Sequence, residues 1–166
     1  YYETFGEVPV NLLLEGFYTD LIDAFVMEHV GVDDNGNAIK QRRNGGGGQV
    51  FGVNFEARAA VSSWLDAQLG VTWQRSLYKE PEKWSEDPDV AAVTEMFRTP
   101  DWYGFVTCTF KPTHHLSIDL SGTYTGEMWV QHMAGYIEKD RIERTPDFFN
   151  ANVKVAYDID LSRELI

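Results

Sequence analysis

The sequence holds a single cysteine, Cys108, which excludes an internal disulfide framework and a cysteine-built zinc site. It is short of positive charge. Fourteen Lys and Arg face 26 Asp and Glu, and the net charge of −12 argues against a nucleic-acid partner and against charge-driven attachment to anionic lipid. No apolar run approaches the roughly 18–20 residues of a membrane helix. That absence leaves the membrane open, because a spanning β-strand needs only about 9–11 residues and half of them can be polar. An initiating methionine and a signal peptide are missing as well, and Tyr1 in first place predicts a piece cut from something longer.

What is present is alternation. Aromatics reach 14% although the charged fraction is already 24%, a high share for a soluble domain. In Leu65–Tyr78 the odd positions read Leu65, Ala67, Leu69, Val71, Trp73 and Leu77, broken by Arg75, while Asp66, Gln68, Gly70, Thr72, Gln74 and Ser76 take the even ones. A period of two over about a dozen residues predicts a strand longer than the usual 5–6 residues. Similar patterns predict strands over Val10–Tyr18, Val50–Val61, Trp102–Phe110, Leu116–Val130 and Phe149–Leu161. After Val10–Tyr18 the phase shifts near Leu21-Ile22, as at a bulge, and strand character resumes through Ala24, Val26 and Val30. Tyr1–Gly6 reads as the tail of an earlier strand.

Gly6-Glu7, Ser62-Ser63-Trp64 and Pro112–His115 read as tight turns. Gly31–Gly48, Glu80–Asp101 and Ala134–Asp147 read as long polar connections. The first of these carries Asp34-Asn35-Gly36-Asn37, a hairpin-turn signal, and the second carries Asp89–Phe97, which predicts a short helix capped by Asp89.

Short and long connections therefore alternate, which predicts an all-β, antiparallel up-and-down meander of about six strands with dissimilar ends. Outer-membrane β-barrels have short turns at one end and long loops at the other. Soluble barrels can imitate this, but their outer face is polar. The apolar faces carry Trp64, Trp73, Tyr78, Trp102, Tyr124, Trp129 and Tyr157 towards strand ends, as an interfacial girdle would. Arg75, on the lipid side by strict alternation, is then expected at the outer interface, its head reaching water or lipid phosphate. Six strands cannot close around a lumen, since a barrel needs about eight, so the meander is expected to be part of a larger barrel.

Several stretches resemble the C-terminal part of the barrel of TonB-dependent receptors, in the form common in Bacteroidetes. They are EGFYTDLIDAFV (Glu15–Val26), RRNGGGGQVFGVNFEARAAV (Arg42–Val61), YKEPEKWSED (Tyr78–Asp87), RTPDWYGFVTCTFKPTHHLSIDLSGTYTGEMWVQHMAGY (Arg98–Tyr136) and RTPDFFNANVKVAYDI (Arg144–Ile159). The resemblance implies one segment of a plugged, 22-stranded outer-membrane barrel, lacking the plug, most strands and the last strands. It implies the cell outer membrane, outer-membrane lipid around the wall, and TonB and the plug as partners in the full-length protein. The cargo would be a scarce small ligand such as a siderophore or other iron chelate, haem, vitamin B12 or a glycan. The isolated segment is expected to self-associate through its apolar face or edge strands. The alternative is a soluble extracytoplasmic β-barrel or β-sandwich module enclosing a small lipophilic ligand.

Catalysis finds no support in the sequence, and no enzyme activity or cofactor is expected. No Ser/His/acid arrangement is visible; Asp119 and Glu127 share a strand face as ordinary lumen carboxylates do. His114-His115 lacks a third ligand at metal spacing, and Asp33-x-Asn35 next to Gly36 lacks the later glutamate of a calcium loop. Gly45–Gly48 is followed by no Lys-Ser/Thr and is not a phosphate loop. Cys108 reads as an inert thiol between Val106 and Phe110. Ligand contact is therefore expected from the long loops. Arg42, Arg43, Trp84, Arg98, Trp102, His132, Arg141 and Arg144 are the residues there that could grip an anionic or ring-bearing molecule.

Overall fold

A computed structural model describes residues 1–23, 25–85, 87–134 and 137–159. Among these residues there are strands and no helix. In chain order they are β1 Tyr2–Phe5, β2 Val8–Leu21, β3 Phe25–Val32, β4 Ala38–Asn44, β5 Gly48–Ser62 and β6 Leu65–Glu82. β7 Val93–Glu95, β8 Trp102–Thr113, β9 Leu116–Thr125, β10 Trp129–His132, β11 Arg141–Arg144 and β12 Phe148–Tyr157 follow. One sheet runs β1-β2-β5-β6-β8-β9-β12 with every neighbour antiparallel, and β7 adds to β6. β3–β4 and β10–β11 are separate hairpins. The wall is thus an up-and-down meander, and the two hairpins and β7 lie in the long connections at one end.

Register shows why the alternation matters. Leu12, Ala57, Leu69, Val106, Gly122 and Ala151 stand side by side across six strands. One residue along, Asn11, Arg58, Gln68, Thr107, Ser121 and Asn152 do the same. One row is wholly apolar, the next wholly polar, so a slip of one residue in any strand would exchange the faces. The apolar face is uncovered: Leu69, Val71 and Val106 are each more than 40% exposed. Among the described residues only Val26 and Trp84 are buried hydrophobics, and neither belongs to the wall.

Aromatic rings bound the apolar face at both ends. Phe51 and Trp73 meet edge to face at 6.3 Å near the long loops, close to Trp102, which pairs with Trp73 in register. Trp64 and Phe110 meet at 5.4 Å beside the tight turns, and Tyr157 lies against His115 there. Leu65 to Arg75 covers about 33 Å of strand at roughly 3.3 Å per residue. At the tilt of about 40° usual for barrel strands, that length would span about 25 Å. Tyr78 and Trp129 do not join these belts. Tyr78 falls on the opposite face of β6, and Trp129 lies in the β10–β11 hairpin.

The wall strands and tight turns stand close to the positions the alternation predicts, with β6 running on to Glu82 and the turns reduced to Ser63-Trp64 and His114-His115. The connections differ more. Leu21-Ile22 is no bulge; the chain bends out of the wall there and starts a separate sheet. Asp34–Gly36 does turn a hairpin, but its return arm Ala38–Asn44 is a strand. Asp89–Phe97 forms no helix. Asp87 takes the capping role in a turn, its side chain accepting from Asp89 N at 3.0 Å and its carbonyl from Val90 N at 3.1 Å. β6 outruns β8, whose pairing stops at Trp73–Trp102, and residues 93–95 satisfy the free backbone edge that remains. Leu116–Val130 breaks at residues 126–128, and Ala134–Asp147 contains β11. Ala24 and the Asp160-Leu161 end of the last expected strand lie outside the described residues.

Candidate functional site

The overhang of β6 organises the loop end. Its outer part carries Tyr78 and Glu82 beyond the point where β8 has ended. On one side β3–β4 rises from Leu21 and returns at Gly47. That residue has φ +79°, and a Cβ there would lie 2.4 and 2.6 Å from the carbonyl oxygens of Leu21 and Ile22. Only glycine lets the hairpin close back on its own exit. On the other side Glu95 of β7 ties β10–β11 to the wall: it bonds Arg75 at 2.9 Å and accepts the Trp129 indole N–H. Arg75 also reaches Asp101 at 3.0 Å. Its head is therefore paired with two carboxylates that the alternation did not point to, and the side chain stays 41% exposed.

Between these pieces lies a cleft of about 580 Å³, within the size range of small-molecule sites. β3–β4 lines it with Phe25, Lys40 and Arg42; β6 and the connection after it contribute Tyr78, Glu82, Trp84, Phe97 and Arg98. The β10–β11 hairpin adds Gln131 and His132. Lys40 and Arg42 stand two apart on a strand and so share a face. Trp84 is 3% exposed and packs edge to face on Phe97 at 5.9 Å. Its Nε1–H is buried and has no hydrogen-bond partner among the described residues. Arg98 adopts φ +59°, a left-handed conformation that costs a non-glycine residue about 1–2 kcal/mol, and its backbone N–H donates to Trp129 O at 2.8 Å.

The charge of the cleft opposes that of the chain. Glu82 is its one carboxylate among the described residues, and Arg43 pairs with it at 2.9 Å. No carboxylate among the described residues forms an ion pair with Lys40, Arg42 or Arg98. Burial, reinforced by the Glu82 charge, pushes the Tyr78 hydroxyl above its ordinary value, so it stays a neutral donor at physiological pH.

Of the eight residues expected to contact ligand, Arg42, Trp84, Arg98 and His132 line this cleft, and Arg43 borders it through Glu82. The other three lie elsewhere. Trp102 is on the apolar face of the wall, 51% exposed. Arg141 pairs with Glu143 at 2.9 Å, the carboxylate that also meets His132. Arg144 bonds Glu127 at 2.9 Å with its guanidinium 4.4 Å over the Trp129 ring, a contact that pins the hairpin. Lys40, Tyr78 and Phe97 line the cleft as well and are not among the eight. The i, i+2 spacing of Lys40 and Arg42 was the available signal, readable only once β4 is known to be a strand.

Asp33, Asp119 and Cys108 are not among the residues that line the cleft. The Asp33 carboxylate accepts from the backbone N–H of Asn35 and Asn37 at 2.9 and 2.8 Å and from the Asn37 side chain, which closes the hairpin tip. Asp119 takes a bond from Thr109 at 2.7 Å, and Cys108 is half-buried in register with Ala67 and Leu120. Among the described residues no group of three or more His, Cys, Asp or Glu could hold a metal ion.

Wall and loops together define an antiparallel β-meander of the kind that makes a sector of a large barrel. No protein-family model matches the chain, and no curated protein matches its sequence. Among solved structures it superposes on the siderophore receptor PirA from Acinetobacter baumannii with a TM-score of 0.53 at 10% identity. The match covers 96% of this chain and 24% of that receptor, so the likeness is one of fold over about a quarter of the larger protein.

Proposed function

We propose that the chain is a sector of the barrel of an outer-membrane TonB-dependent receptor, of the form common in Bacteroidetes, that takes up a scarce small ligand. The observation that carries this reading is the uncovered apolar face, bounded by aromatic belts and topped at one end by every long connection. A soluble module would fold that face inward and pack it; Leu69, Val71 and Val106 instead lie open. The likeness to a siderophore receptor supports the same reading. In it the wall faces lipid, its polar rows face a lumen shared with a plug, and TonB acts on the intact protein from the inner membrane. The loops hold the ligand before passage, without covalent chemistry. An iron chelate, haem, a vitamin or a glycan is the cargo class.

Cell fractionation tests this. The intact protein should sediment with the outer membrane, resist extraction by salt and alkali, and change gel mobility on heating as barrels do. Recovery in the soluble fraction as a monomer would sink the receptor reading.

A further inference from the structure

We infer that the cleft between β3–β4, the β6 overhang and β10–β11 selects an anionic, ring-bearing small molecule over a neutral oligosaccharide. The inference rests on the receptor reading only for the ligand's later fate. Lys40, Arg42 and Arg98 present positive charge without an ion-pair partner among the described residues, in a chain whose net charge is −12. Ion pairing elsewhere at this end is extensive: Arg43, Arg75, Arg141 and Arg144 all have carboxylate partners. Where acid is so abundant, three cations around one cavity with no ion-pair partner among the described residues mark a place prepared for anionic groups from outside.

The apolar part of the wall sets the rest of the ligand. Trp84 and Phe97 form an aromatic corner suited to the face or edge of a planar ring, and guanidinium groups stack on such rings as well. The Trp84 Nε1–H, buried and without an acceptor among the described residues, leaves bonding capacity unused in the wall of the same cleft. Such groups are rarely orphaned in folded proteins. An acceptor on a ligand would reach it only with a shift of the Trp84 ring, which is 3% exposed. Arg98, held at φ +59°, is a further sign of local structure maintained for something other than stability. A neutral glycan would use the aromatic corner but leave the three cations without counter-charge.

The test uses the intact protein in detergent, titrated with naphthalene-1,5-disulfonate, inorganic phosphate and maltoheptaose, with tryptophan emission and calorimetry as readouts. The disulfonate should bind with an affinity that falls as salt rises. Phosphate, lacking a ring, should bind more weakly, and maltoheptaose should not bind measurably. Arg42→Gln and Arg98→Gln should each weaken the disulfonate about tenfold, the loss of one charge-assisted contact. Lys111→Gln, whose partner is Asp66 at the opposite end of the sheet, should change nothing. Trp84→Phe should keep the salt dependence but lose part of the affinity. Maltoheptaose binding as tightly as the disulfonate overturns the inference, and so does unchanged disulfonate affinity in both arginine variants. Because these are binding measurements, their failure is distinct from failure of outer-membrane fractionation.

Discussion

The wall and the loop end are held together by different forces. Along β2, β5, β6, β8, β9 and β12 nearly every residue has a register partner, and the side chains of the apolar face touch their neighbours within the sheet while staying partly exposed. At the loop end main-chain ladders are short, and side chains carry the connections: Arg43 to Glu82, Arg75 to Glu95 and Asp101, Ser85 to Asp140, Arg144 to Glu127. The wall therefore looks to its surroundings for the rest of its apolar contacts, whereas the loop end makes its own. The difference teaches where each part is vulnerable. A wall position should respond to what lies beside it, and a loop position to its named partner.

The sharpest way to break this comparison is a charge placed on one face or the other of the wall. Val71→Arg enters the middle of the apolar band and should cost about 2–4 kcal/mol in a bilayer. Thr107→Arg, on the polar face, should cost well under 1 kcal/mol. Urea titration of the intact protein refolded into phospholipid vesicles would measure both. Equal effects would mean that the two faces do not see different solvents. Val71 is 43% exposed, so in plain water the same arginine should cost almost nothing; the medium decides the result.

That dependence on surroundings also explains what the sequence made legible. Alternation was clean in Val50–Val61 and Leu65–Tyr78 because each residue answers to one of two environments, and period two is the signature of that choice. The meander, its turns and the rings Trp64, Trp73, Trp102 and Tyr157 at the ends of the apolar face were readable for this reason. The strands at the loop end were not. AIKQRRN and RIER carry almost no apolar residues to mark a face, so they read as polar loop. DVAAVTEMF resembles a helix by local propensity, but residues 93–95 pair with an edge exposed only because β6 outruns β8. Non-local pairing overrode local preference there. Residue type in long loops is also what singles out Arg42, Trp84, Arg98 and His132, which the structure gathers at one cleft. Trp102 lies on the wall instead, because a ring at a loop–strand border can take either side, and Lys40 joins the cleft from a strand that reads as loop in the sequence.

Glu95 tests the loop half of the comparison. It is the carboxylate shared by Arg75 of the wall and Trp129 of the β10–β11 hairpin, at 35% side-chain exposure. Glu95→Ala should loosen that hairpin by about 1–2 kcal/mol, the range for charged hydrogen bonds after allowing for partial exposure. Amide exchange should quicken over residues 129–144 and stay unchanged over β8 and β9. Arg144 retains Glu127 and the Trp129 ring in this variant, so the hairpin should remain folded. Faster exchange throughout the wall would show that wall and loops are one cooperative unit.

The smallest effect lies farthest from the wall, at the tip of β3–β4. Bonds from Asn37, first from its side chain and then from its backbone N–H, hold the Asp33 carboxyl below its ordinary value, helped by the Asn35 backbone. A carboxyl with a lowered folded pKa stabilises the tip above its unfolded pKa, about 3.9, and loses that contribution as pH falls through the folded value. The tip should thus be indifferent to pH from neutrality down to about 4 and loosen only below it. Amide chemical shifts of Asn35 and Asn37, followed by NMR on the intact protein in micelles, would show one titration in that window. Asp33→Asn should remove the titration while leaving wall stability unaltered, because the bonds it weakens lie within the turn itself. A tip that titrated near neutrality, or a wall that lost stability along with it, would contradict the separation of the two regions at its least consequential point.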